Sequence, residues 1–192
     1  MNTIRPIETE WNGCLFRSRL EARWAVFLTA LGVRWDYEPE GFVLEGGARY
    51  LPDFRVRCHG TRGERDMEPF DLYIEVKGRM AEDDADKVRQ FGYRVGDYGL
   101  LVVGGIPDEG CETDADALGA YEGMDGSDVL PFNYETVDGD CFAAFPAAHR
   151  GRFYLMGDDS NYINLDDMPL VRRAYRSARQ ARFEHGEKPA VL

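Results

Sequence analysis

RYLPDFRVR at 49–57 and DLYIEVKG at 71–78 are the two stretches on which the fold of this chain turns. Both alternate with the period of two expected of a strand. In the first, Pro52 offers no donor to a ladder, so its position belongs at a sheet edge or in a gap. The second is a strong strand that Gly78 closes. The two stretches are consecutive and can pair as antiparallel neighbours across the polar loop His59–Pro69. Facing positions on such a pair lie ~5 Å apart at Cβ, which would set Asp53 beside Glu75. Glu75 and Lys77, two residues apart, leave the same face of the sheet.

That pattern carries chemistry. Two carboxylates, Asp53 and Glu75, with the Val76 carbonyl, supply the hard oxygen donors that Mg²⁺ or Mn²⁺ prefers. A divalent ion so held can polarise a phosphodiester and activate water. Lys77 beside it would orient the water or neutralise developing charge.

Upstream, Leu20, Trp24, Phe27, Leu28 and Leu31 fall on one stripe and predict a helix over Ser18–Leu31 that Gly32 ends. Val33–Tyr37 is a short strand candidate, and Glu38–Gly41 breaks it. Phe42–Leu44 leads into a hairpin turn at Glu45–Gly47. Downstream, residues 81–95 suit a helix with Val88, Phe91 and Val95 inward, and Tyr98–Gly104 (YGLLVVG) reads as a strand buried on both faces. Residues 106–130 look irregular and acidic, 141–156 suit two short strands, and Met168–His185 is a basic helix. No internal repeat or second domain is legible, so 1–192 reads as one domain.

The 44% hydrophobic content is that of a folded globule, and no stretch approaches the ~20 apolar residues of a membrane span. No signal-peptide layout opens the chain, and Cys14, Cys58, Cys111 and Cys141 are scattered, so a cytoplasmic protein with reduced thiols is expected. The three histidines stand far apart, against a His-based metal site or triad.

A net charge of −12 argues at first against nucleic acid, but −11 of it lies between residues 106 and 140, which leaves −1 elsewhere. Local field decides binding. Arg17, Arg19, Lys87, Arg172, Arg176 and Arg179 are the candidate phosphate contacts. Arg172, Arg176 and Arg179 share one helical face, and a DNA track would bring that face back near the site.

Pro52-Asp53 followed by Glu75-Val76-Lys77 on a hydrophobic strand, behind a helix bearing Glu21, resembles the PD-(D/E)xK nuclease superfamily. FRSRLEARWAVFLTALGVRWDYEPEGF … YLPDF … LYIEVKG is similar to small nuclease-like proteins of phages and prophages. The order of acids also resembles phage Holliday-junction resolvases and the endonuclease subunit of some transposons. The resemblance covers about residues 14–104, and the His59–Pro69 loop makes the interval between the acids longer than in compact members. It implies an α/β fold with a restriction-endonuclease-like core, αβββαβ, in which a mixed central sheet is flanked by helices. It also implies Glu21, Asp53 and Glu75 as metal ligands and Lys77 as the catalytic lysine, acting on DNA.

Blander roles compete. Ser18-Arg19-Leu20-Glu21 is a capping box, in which Glu21 would bond back to the Ser18 amide. Glu75 and Lys77 could be solvent-facing, and the arginines could be a solvated helix face. The rival to a Mg²⁺- or Mn²⁺-dependent DNA endonuclease is a non-catalytic nuclease-fold protein whose 106–140 segment binds a basic, nucleic-acid-binding partner. A homodimer would suit paired cuts on two strands.

Overall fold

Asn12 and Gly13, with φ of 52° and 80°, supply the two positive values that a tight type I′ turn requires. They fold Thr9–Trp11 (β1) back onto Cys14–Phe16 (β2). The computed structural model describes residues 6–61, 68–78, 80, 82–96, 99–109, 121–124, 127–129, 133–135, 141–149, 152–157 and 169–184.

Ser18 caps the first helix, Arg19–Ala30 (α1), its hydroxyl accepting from the Glu21 amide at 3.2 Å. Gly32, at φ 72°, takes the left-handed position after the helix that a side chain would strain. The buried surface of α1 is broader than the predicted stripe. Ala22, Ala25 and Val26 are buried together with Trp24, Phe27 and Leu28, while Leu20 is only half-buried. The cause is a second cover: the C-terminal helix packs on α1, with the Tyr175 ring 4.4 Å from that of Phe27.

Trp35–Tyr37 (β3) follows, then Phe42–Val43 (β4), a 3₁₀ turn at Glu45–Gly47 and Arg49–Tyr50 (β5), with β4 and β5 antiparallel as the turn residues predict. The strand expected over 49–57 is split. Leu51-Pro52-Asp53 separates β5 from Phe54–Thr61 (β6), the gap that proline demands. Phe70–Val76 (β7) runs antiparallel to β6, Glu82–Val95 (α2) crosses over, and Leu100–Val103 (β8) lies parallel to β7. All four residues of β8 are buried, as a central strand requires.

The second half adds Tyr121–Met124 (β9), Ser127–Val129 (β10), Asn133–Glu135 (β11), Cys141–His149 (β12), Arg152–Gly157 (β13) and Pro169–Gln180 (α3). The irregular reading of 106–130 is corrected in part, because β9 and β10 form a hairpin there. Strands of three or four residues containing Gly and Asp are too short and too poor in β-formers to show a period. β12 and β13 are longer than expected and belong to the main sheet, whose order is β13-β12-β11-β8-β7-β6-β3. β13 also pairs in parallel with β6 beyond the end of β3, so the strand at one end of the sheet order meets the other end and covers the edge that β6 leaves there.

The result is a mixed sheet with helices on both faces. On one face, Phe54, Val56, Leu72, Ile74, Val76, Leu101, Val103 and Phe153 pack with α1 and α3. On the other, Tyr73, Leu100 and Val102 pack with Leu44, Tyr50 and the Ala85, Val88 and Phe91 side of α2. Glu75, between Ile74 and Val76, therefore leaves the sheet on the α2 side.

Candidate active site

Phe54 pairs with Ile74, so the next step beyond the ladder sets Asp53 across from Glu75. Asp53 is buried, and its Oδ2 accepts the Val76 amide at 2.7 Å. Val76 thus meets Asp53 through its N–H. Glu75 is 3% exposed, and its Oε1 lies 2.8 Å from Lys77 Nζ. The expected common face of Glu75 and Lys77 is what this ion pair requires.

Burial pushes the Asp53 carboxyl well above its usual range, and the Glu75 and Glu21 charges add to the rise against the Val76 amide and Lys77. Burial likewise raises Glu75, only partly opposed by Lys77. For Lys77, burial alone would lower the pKa, but the facing Glu75 carboxylate outweighs it and the net direction is upward.

Two groups escaped the sequence reading. The Tyr50 hydroxyl adjoins Glu75 without a hydrogen bond of good geometry, and burial followed by the Glu75 charge pushes its pKa up. Asp84, in the first turn of α2, adds its charge to those acting on Tyr50, Glu75 and Lys77. A Tyr two residues before a Pro-Asp and an acid opening the next helix were the available signals, but both are ordinary in folded chains.

Glu21 is held as a cap. Its Oε1 accepts the Ser18 hydroxyl at 2.7 Å, and its Oε2 accepts the Tyr37 hydroxyl at 2.6 Å and the Arg17 amide at 3.1 Å. The back-bond of the capping box therefore goes to the Arg17 amide and the Ser18 hydroxyl. Glu21 reaches Asp53 through its charge.

Among the described residues, no three His, Cys, Asp or Glu side chains converge into a group that could hold a metal ion. The donor set nonetheless fits a hard cation at the Asp53–Glu75 pair. Glu75 Oε2 is buried without a hydrogen-bond partner, and the neighbouring acids are mutually repulsive, an arrangement that a divalent ion would relieve.

The candidate phosphate contacts divide. Arg17 pairs with Glu38, and Arg19 lies 3.5 Å from Glu184. Arg176 lies 3.3 Å from Glu109, and Arg179 donates to the Pro107 carbonyl at 2.8 Å. Lys87 is half-buried on α2, and Arg172 is half-buried on α3. The expected return of α3 toward the site face is corrected. α3 docks on α1, on the sheet face opposite Glu75, because Val171, Ala174, Tyr175 and Ala178 form an apolar stripe matched to α1. Most of the 106–140 segment, including Glu112, Asp114, Asp116, Asp125, Asp138 and Asp140, lies outside the described residues.

Comparison of the chain with family models, curated proteins and solved structures gave no match. No described helix is long and apolar enough to cross a membrane.

The roles of Glu21 separate by substitution. Glu21→Gln keeps an acceptor for the cap and removes the charge beside Asp53. Its melting temperature is expected to stay within ~2 °C of the parent, since a shared cap contributes only about 0.5–2 kcal/mol and glutamine retains much of it. Calorimetry checks this, and a fall as large as that of Glu21→Ala would make the charge part of the cap.

Proposed function

We propose that this protein is a divalent-metal-dependent nuclease of the PD-(D/E)xK type that hydrolyses DNA phosphodiesters. The observation that carries the reading is the meeting of Asp53, Glu75 and Lys77 at one end of the β6–β7 pair, within the element order α1-β3-β6-β7-α2-β8. That order supports a restriction-endonuclease-like core. Asp53 and Glu75 would hold Mg²⁺ or Mn²⁺, with the Val76 carbonyl as a third oxygen and Glu21 contributing field. When bound, the ion polarises the scissile phosphate and lowers the pKa of a water molecule.

The chain's own groups divide the remaining work. The Val76 amide fixes Asp53, so that a buried carboxylate needs no reorganisation. The Lys77 side chain is 23% exposed against 4% for Glu75, so its ammonium can meet a phosphate arriving from solvent while its carboxylate partner stays inside. Lys77, protonated, stabilises charge on the phosphoryl oxygens.

A second reading draws on a different observation. Arg17, Arg19 and Arg176 each face a carboxylate of this chain, which leaves less positive surface for DNA. A non-catalytic protein of the same fold, binding a basic partner through its acidic surface, would use that arrangement.

Incubation with linear, supercoiled, single-stranded and four-way-junction DNA, with Mg²⁺, with Mn²⁺ and with EDTA, separates the two. Cleavage of at least one form is expected only with metal. Lys77→Ala should lose that cleavage while still binding Mn²⁺. A folded parent that cuts none of the four with either ion would leave the binding-protein reading in its place.

A further inference from the structure

Tyr50 borders the same carboxylate pair, and a role for it there rests on the nuclease reading. Tyr50 is 7% exposed, yet among the described residues its hydroxyl has no hydrogen-bond partner of good geometry, and neither does Oε2 of the neighbouring Glu75 carboxylate. A buried polar atom left unpaired costs about 1–3 kcal/mol, and on these two neighbouring side chains one atom is a hydroxyl donor and the other a carboxylate acceptor. The ring has a packing role that phenylalanine could fill equally, stacking on Phe91 with centroids 4.6 Å apart and planes at 32°. Packing therefore accounts for the ring and leaves the oxygen unexplained.

We propose that Tyr50 is a positioning residue that donates its hydroxyl hydrogen to Glu75 Oε2 and so fixes the orientation of this carboxylate toward a divalent cation. The two Glu75 oxygens are otherwise unequally held. Lys77 Nζ takes Oε1 at 2.8 Å, and no described residue takes Oε2 with good geometry. A phenol suits the open oxygen better than a second cation would, because it orients the carboxylate without cancelling the charge that attracts metal. Its neighbour Phe91 and the β4–β5 pairing of Phe42 with Tyr50 anchor the ring and backbone, so only the Glu75 side chain need turn. Partners of this outer kind typically tune metal affinity by 10–100-fold.

Tyr50→Phe in the full chain tests the assignment. Calorimetric titration with MnCl₂ is expected to show dissociation constants raised by about 10-fold or more. The metal-free melting temperature should stay level or rise, because an unpaired buried hydroxyl is removed. A purely structural tyrosine would do the reverse, with a lower metal-free melting temperature and unchanged Mn²⁺ affinity. Equal Mn²⁺ affinity in parent and variant overturns the role of Tyr50 and leaves the nuclease reading intact. A folded parent that binds no Mn²⁺ overturns that reading, and the role of Tyr50 with it.

Discussion

Asp53→Asn is expected to abolish metal-dependent cleavage and, in the same protein, to raise thermal stability at pH 8. The two effects have one origin. Asp53 is buried beside Glu75 and within the field of Glu21, so its ionised form is disfavoured in the folded chain relative to the unfolded one. The folded state then binds protons more tightly over the interval between the ordinary carboxyl pKa and the raised one. Stability from this group is highest below the ordinary value and falls as pH climbs through the raised value. Glu75 shifts in the same direction and adds to the slope. Asparagine keeps an oxygen to accept the Val76 amide and removes the charge. The melting temperature at pH 8 is expected to rise, and each ~1 kcal/mol gained would read as roughly 2–4 °C for a chain of this size. Cleavage should drop by roughly 10³-fold or more, since a metal-bound transition state is stabilised by several kcal/mol. Melting curves from pH 4 to pH 9, with and without Mn²⁺, check the sign, and Mn²⁺ should stabilise the parent but not the variant. A variant less stable than the parent at pH 8 would mean that Asp53 is structurally satisfied, and the acid-pair site would lose its main physical support.

Tyr175→Ala is expected to cost about 3–5 kcal/mol. Tyr175 is 1% exposed, and its ring lies 4.4 Å from Phe27 and 6.3 Å from Trp24. Truncation leaves a cavity between α1 and α3 that two helices held by neighbouring contacts cannot fully close. Urea titration followed by far-UV circular dichroism should show the midpoint fall in one transition, because α1 and β13 share this core through Phe153. The exposed Arg173, on the same helix, should change stability by no more than about 0.5 kcal/mol when replaced by alanine. If Tyr175→Ala melted α3 alone and left the rest of the chain unmoved, α3 would be an appendage and the shared core a misreading.

Local signals were most legible where a single residue type has few structural options. Ser18 and Gly32 bracket α1 because a hydroxyl cap and a left-handed glycine are each specific to a helix end. Pro52 divides β5 from β6 because it has no amide to donate. The apolar run ending in Val103 is buried on both faces, as a parallel central strand must be. The pairing of Glu75 with Lys77 followed from the period of a strand, and the place of Asp53 followed from the register that brings consecutive strands together.

What the sequence determined by itself, then, was α1, α2, the strands β6, β7 and β8 and the common face of Glu75 and Lys77, since these depend on periods of 3.6 and 2 set by backbone geometry, whereas the β1–β2 hairpin ahead of α1 was not read from it. The hydrogen bonds of Glu21 needed tertiary structure, because Tyr37 and the Arg17 amide become its donors only when β3 and the helix entry are folded around it. The roles of Tyr50 and the α3 arginines did too. Tyr50 becomes a neighbour of Glu75 only through pairing across the β4–β5 turn and packing on α2. The arginines of α3 were open to either sheet face, until an apolar stripe matched to Trp24 and Phe27 drew the helix onto α1 and its cations toward 107–109. Charge in a sequence has no direction, and burial of the apolar side of the helix gives it one.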